Sequence, residues 1–282
     1  MIKRMIQRSR AAVLRSEIQL AALGWRMRGG VRLPDFMGIG SPISASTWLA
    51  HNLDLHPQVS ISKDKETRFF SLHLEHGLKW YSKQFEGSEG RVVGEFTPSY
   101  GRLPMDRIRL ISRLIPDVRL LMTIRNPIDR AWAGARRTMS MLARHWNCTI
   151  DDIPKDEFLA YFELEGKYRA DLLGRHGYFV PNLKSGDYSR ILDNWLSVFP
   201  EEQLLIVFYD EVKSDPLRLL KHVFEHLGVD PEVDSSLFAL ERINANRNLE
   251  MPQWAETRLR EMYAPEIARL RERFGSQLPN WE

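Results

Sequence analysis

Residues 37–47, Met-Gly-Ile-Gly-Ser-Pro-Ile-Ser-Ala-Ser-Thr, put small and hydroxyl-bearing side chains between an apolar run at 35–39 and the helix-like Trp48-Leu49-Ala50. Where a strand hands over to a helix, the first helical N–H groups lack intrahelical acceptors and face outward at the positive end of the dipole. A phosphate or sulfate fits there. A phosphate loop usually adds a cation, yet no Lys or Arg lies in this one, and Ile43 sits in its middle. A second anion site follows the run 117–124, at Arg125-Asn126-Pro127-Ile128-Asp129-Arg130. Asn126 suits a helix N-cap and Pro127 the first helical position. Arg125 beside that helix start is a planar donor for phosphate oxygens, or else a partner for a surface carboxylate. Together the two sites could hold two phosphate groups of one nucleotide.

The elements that must position these groups are short apolar runs at 35–39, 91–95, 117–124 and 203–208. Helical patterns at 70–84, 104–114 and 127–145 lie between them, followed by one from Tyr188 to Phe199 and one from Asp215-Pro216 to Leu227. Strands separated by helices predict crossover units and a mostly parallel sheet flanked by helices on both faces. Ligands bind such sheets beyond the carboxyl ends of the strands, here just after residues 39, 95, 124 and 208. Of the eight His residues none falls in an evident motif, and His56 before Pro57 reads as a helix-end residue.

At this point the chain resembles the PAPS-dependent sulfotransferases, whose donor is 3'-phosphoadenosine 5'-phosphosulfate. Ser41-Pro42-Ile43-Ser44-Ala45-Ser46-Thr47-Trp48-Leu49 is similar to that family's 5'-phosphosulfate loop, S-P-[K/R]-S-G-T-T-W-L. "LDLHPQV" with "KETRFF", "GEFTPSY", "RNPIDRAW", and the long stretch from "SGDYSRILDNWL" through "QLLIVFYDEVKSDP" resemble further family motifs in the same order. The resemblance covers most of 34–230 and implies a P-loop-like α/β fold with PAPS as donor, 3',5'-adenosine bisphosphate as product and no metal. It implies that N–H groups of 43–48 and the hydroxyls of Ser44, Ser46 and Thr47 hold the 5'-phosphosulfate. Ser41, Pro42, Ile43, Ala45 and Trp48 complete that loop. It assigns Arg125 to the 3'-phosphate, brings Lys184, Gly186 and Tyr188 near the nucleotide, and makes Glu95 the base that deprotonates the acceptor. A base there needs a carboxylate at a strand's carboxyl end within hydrogen-bond reach of the nucleophile. The other use of Glu95 is a structural pairing.

Four positions depart from the family pattern. Ile43 replaces the loop cation, Ala45 a Gly, Ala133 a Ser that helps bind the 3'-phosphate, and Phe96 a Lys. A lost donor to a developing oxyanion typically costs about 10²–10³ in rate. Either another cation enters, with Lys65 the catalytic candidate and Lys63 and Arg68 as alternatives, or the chain is an impaired sulfotransferase-like protein that binds a nucleotide or a partner. A P-loop kinase is excluded by the missing Gly-Lys-Ser/Thr ending. Nucleic acid is excluded as a partner by the lack of a recognised module and of interleaved aromatics. The acceptor is a small molecule, a lipid or a carbohydrate, and 134–182, with Trp146, Tyr161, Phe162, Tyr168 and Tyr178, is expected to line its entrance.

With 282 residues the chain can form one large domain, and its single Cys suits a reducing cytoplasm. Residues 1–32 carry eight Lys or Arg against one acid, Glu17. This basic helical arm could make peripheral contact with an anionic membrane, or pack as a solvated helix on the domain. Residues 33–282 are then expected to form the α/β domain, with a helical appendage from about 230 and a helix near 253–274.

Overall fold

The computed structural model describes residues 31–149, 152, 183–241 and 250–281. Five strands, β1 (Phe36–Gly40), β2 (Val59–Ile61), β3 (Val92–Phe96), β4 (Arg119–Ile124) and β5 (Leu204–Phe208), form one sheet in the order β2-β3-β1-β4-β5. All the pairings are parallel. Four of these strands fall where apolar runs predicted them. β2 was not expected, because three residues at a sheet edge are too few to show a period.

Successive side chains of a strand point to opposite faces, and the core divides accordingly. Met37, Ile39, Leu120, Met122, Ile124, Leu204 and Phe208 join one apolar cluster, whereas Phe36, Leu121 and Val207 join another on the other face. The first cluster is covered by α2 (Gly77–Lys83), α3 (Met105–Leu114), α4 (Pro127–Trp146), α5 (Tyr188–Leu196) and α8 (Gln253–Phe274). The second is covered by α1 (Ser46–Asp54), α6 (Tyr209–Ser214) and α7 (Pro216–Leu227). Two glycines let the central strands pack so closely: a Cβ on Gly38 would collide with the Phe96 ring, and one on Gly94 with the Phe36 ring.

The helix expected over 70–84 is divided. A 3-10 turn, Leu74–His76, ends at Gly77, whose left-handed φ of 76° breaks the path before α2 starts. The helix expected near 253–274 is α8, and it is no loose attachment. Its Leu259, Tyr263, Ile267 and Leu270 are buried in the first cluster. Its Glu266 carboxylate, only 4% exposed, accepts from Ser189 N–H (2.7 Å) and Oγ (2.9 Å) at the start of α5. The basic arm, apart from residues 31 and 32, and the aromatics Tyr161, Phe162, Tyr168 and Tyr178 lie outside the described residues. No helix among the described residues is long and apolar enough to cross a membrane.

Candidate active site

The loop after β1 is pinned at its base and open at its tip. Ser41 N–H donates to Thr123 carbonyl at 2.5 Å, and Thr123 Oγ1 donates back to Gly40 carbonyl at 2.9 Å. Ile43 and Ala45 then adopt left-handed backbone, at φ 67° and 66°. Left-handed turns of this kind let a loop gather successive N–H groups into an anion-binding concavity. The conformation costs a non-glycine residue roughly 1–2 kcal/mol. Helix α1 follows directly, so its first N–H groups face the same space.

The hydroxyls of the loop do different things. Ser44 is fully buried and shares a 2.7 Å hydrogen bond with Ser41, so its side chain belongs to the loop's internal structure. Ser46 is also buried. Trp48 is an anchor: its ring sits in the second cluster and its indole N–H donates to Ala239 carbonyl at 2.9 Å. Thr47 alone of the loop hydroxyls is exposed, and Lys65 Nζ donates to its Oγ1 at 2.9 Å.

That contact brings an ammonium to the mouth of the loop, although position 43 has no cation. Lys65 comes from the segment after β2, which runs beside the end of β3: Ser62 N–H donates to Gly94 carbonyl, and Phe96 N–H to Lys65 carbonyl. Burial pushes the Lys65 ammonium below the usual lysine range; Glu66 opposes this, and Arg137 on α4 adds to it. Lys63 is turned away, paired with Glu86 at 3.5 Å on the surface. Arg68 holds the Glu66 carboxylate at 2.9 Å.

Tyr188 joins the two anion sites. Its hydroxyl donates to Arg125 carbonyl at 2.9 Å, lies 3.3 Å from Arg125 N–H, and sits 3.3 Å from Ser41 Oγ. Arg125 stands at the end of β4 as expected, and Asn126 caps α4 by accepting from Ile128 N–H at 2.9 Å. The guanidinium stacks on the Tyr209 ring, 4.6 Å from its centroid, and lies 3.9 Å from Asp129. Tyr209 is the first residue after β5, at the last of the strand ends where the sequence places a ligand, and the resemblance assigns it no role. Gly186 packs where a Cβ would crowd Arg130 and Tyr263. Lys184 lies in the same 3-10 turn, Leu183–Gly186.

Glu95 is where the expectation needs correcting. It has no exposed surface, and its oxygens accept from Thr67 Oγ1 (2.5 Å), Tyr81 OH (2.5 Å), Thr97 Oγ1 (2.7 Å) and Tyr100 OH (3.3 Å). A general base must come within hydrogen-bond reach of the acceptor's proton, and this carboxylate is sealed behind hydroxyls. Burial raises it above the usual carboxylate range, against the pull of the four hydroxyls. The side chain works as an internal tie, fastening the 67–70 segment and the turn after β3 to the strand end. Glu95→Ala leaves those buried donors without an acceptor. At about 1–3 kcal/mol for each unsatisfied group, a loss of about 3 kcal/mol or more in unfolding free energy is expected, read by urea denaturation. A loss below about 0.5 kcal/mol, ordinary for a surface change, would show that the tie carries no weight.

The carboxylate that does reach the open side is Glu66, about one-third exposed and 3.9 Å from Lys65 Nζ. Nothing in a lone Glu marks it in the sequence. Its place directly after Lys65 in "KETRFF" is the signal, because a lysine drawn to the loop brings its neighbour along.

A family model described as a sulfotransferase domain matches residues 33–264. Mouse heparan sulfate glucosamine 3-O-sulfotransferase 6 is 28% identical over 216 residues, covering 74% of this chain and 56% of that protein. The bifunctional heparan sulfate N-deacetylase/N-sulfotransferase 1 of Caenorhabditis briggsae is 27% identical over 206 residues, covering 70% of this chain and 23% of its own. The chain thus spans about half or less of the length of these relatives. Among solved structures, a sulfotransferase from Alicyclobacillus acidocaldarius superposes with a TM-score of 0.66 at 21% identity, covering 86% of this chain and 96% of that one.

Proposed function

This chain belongs to the sulfotransferase-domain family, and from that premise we propose that it moves a sulfuryl group from PAPS to a hydroxyl or amine of a carbohydrate acceptor. The observation that carries this reading is Lys65 Nζ on Thr47 Oγ1, with Glu66 beside it at the mouth of the loop. The loop N–H groups of 43–48 hold the 5'-phosphosulfate, and Arg125, steadied by Tyr188 and Tyr209, takes the 3'-phosphate. No metal ligand is required for this chemistry.

In the transfer, Glu66 accepts the acceptor's proton as the acceptor oxygen or nitrogen bonds to sulfur. The bond between sulfur and the bridging oxygen breaks, and its electron pair stays on the 5'-phosphate of 3',5'-adenosine bisphosphate. Lys65, placed over Thr47, donates to the oxygen where that charge grows. The reading of an impaired loop loses its motive, since a cation stands at Thr47 although position 43 has none. A carbohydrate acceptor is favoured over a lipid by two relatives whose names specify heparan sulfate.

Transfer of label from sulfur-labelled PAPS to unsulfated glucosamine-containing glycans tests the reading directly. Label on the glycan is expected. Label on no glycan, with transfer to a phenol or a lipid, would replace the acceptor class. The nucleotide site has its own test by calorimetry. Arg125→Ala should weaken 3',5'-adenosine bisphosphate by about ten- to a hundredfold, the worth of a charge-assisted hydrogen bond, and leave adenosine 5'-phosphate unaffected. Equal weakening of both would remove Arg125 from the 3'-phosphate.

A further inference from the structure

Beyond the transfer site, we propose that His73, Glu75 and His76 form a zinc site on the turn that follows the Lys65–Phe70 segment. One ligand atom from each residue lies within 4.8 Å of the other two, and the site is empty. Glu75 Oε1 lies 3.9 Å from His73 Nδ1 and 3.7 Å from His76 Nε2. Both separations are too long for a hydrogen bond. They suit co-ligands of one ion: at metal–ligand distances of about 2.0–2.2 Å, tetrahedral neighbours stand about 3.3–3.5 Å apart. A contraction of about half an ångström would bring each imidazole to that spacing from Glu75.

Local structure explains why the three side chains converge. In a 3-10 turn there are three residues per turn, so positions i and i+3 eclipse. His73 precedes and His76 ends the turn Leu74–His76, and their rings stack at 5.1 Å with 17° between planes. Trp80, one helical turn further on in α2, packs against both imidazoles at 5.9 and 4.9 Å and is itself stacked on Phe69. The rings are therefore held from behind, while Glu75 stays exposed in front. Two imidazoles and one carboxylate favour zinc over magnesium or calcium, which prefer all-oxygen sets. Three protein ligands on an exposed turn leave a fourth position for water or an anionic group.

The test is equilibrium dialysis and calorimetry of the full chain with zinc chloride, in a buffer that does not chelate. Uptake of one zinc per chain in the micromolar range is expected, with no uptake of magnesium. Cobalt(II) in its place should give the visible bands of a four-coordinate nitrogen- and oxygen-ligated ion. His73→Ala and His76→Ala should each weaken zinc uptake, and the double variant should abolish it while its circular dichroism matches the parent. His222 and His226, four residues apart on α7, serve as a control pair of imidazoles away from this turn. His222→Ala with His226→Ala should therefore leave zinc uptake unchanged. No stoichiometric uptake by the parent, undiminished uptake in the His73/His76 double variant, or loss in the His222/His226 variant would each overturn the proposal.

Discussion

Replacing Glu66 with Gln is expected to lower kcat for the proposed sulfuryl transfer by about 10²–10⁴-fold, the range in which a positioned general base contributes. Affinity for 3',5'-adenosine bisphosphate is expected to stay near that of the parent, because the role proposed for Glu66 is toward the acceptor and not the nucleotide. The amide keeps the size of the side chain and can still accept from Arg68, which holds the carboxylate at 2.9 Å. What it cannot do is take a proton. The loss in kcat should appear in Glu66→Gln and not in Glu95→Gln. The opposite pattern would return the base to Glu95 and require that its shell of hydroxyls open to admit the acceptor.

Lys65→Met is expected to cost about 10²–10³ in kcat, as the loss of one aligned donor to a developing oxyanion does. The methylene stem is kept and only the charge and the hydrogen bond to Thr47 are removed. A pH signature goes with this. Burial holds the Lys65 ammonium below the usual lysine range, so the charged form is lost as pH rises through that lowered value. The parent's rate should fall on an alkaline limb below the ordinary lysine range, and Lys65→Arg, which stays charged, should lack that limb. Should Lys65→Met transfer at the parent's rate, another cation serves the leaving group; Arg137, close enough to depress Lys65, is the first to examine.

The scaffold and most of the proposed nucleotide cradle are legible along the chain. Short apolar runs, cap residues such as Asn126 and Asp215, and a loop of small residues at a strand end depend on local geometry, so they can be read along the chain. The resemblance of ordered motifs over 34–230 then marked Arg125 and Tyr188, and the structure joins these two by a hydrogen bond across 63 residues. The tie between α5 and α8 through Glu266 was beyond reach, because a carboxylate on an amphipathic helix looks solvated until its partner helix is known.

Only the tertiary structure decided between the carboxylates and between the cations. Glu95 sits in the more familiar motif, yet four hydroxyls from residues 67, 81, 97 and 100 close around it once β3, α2 and the 67–70 segment pack together. Lys63 and Lys65 are two residues apart and of one type, and nothing in the sequence separates them. One points to Glu86 and water, the other to Thr47, because the chain bends through residues 63–65 after β2, so side chains two apart do not share a face there as they would on a straight strand. Burial and direction are properties of the packed chain, and the chemistry of this site rests on both.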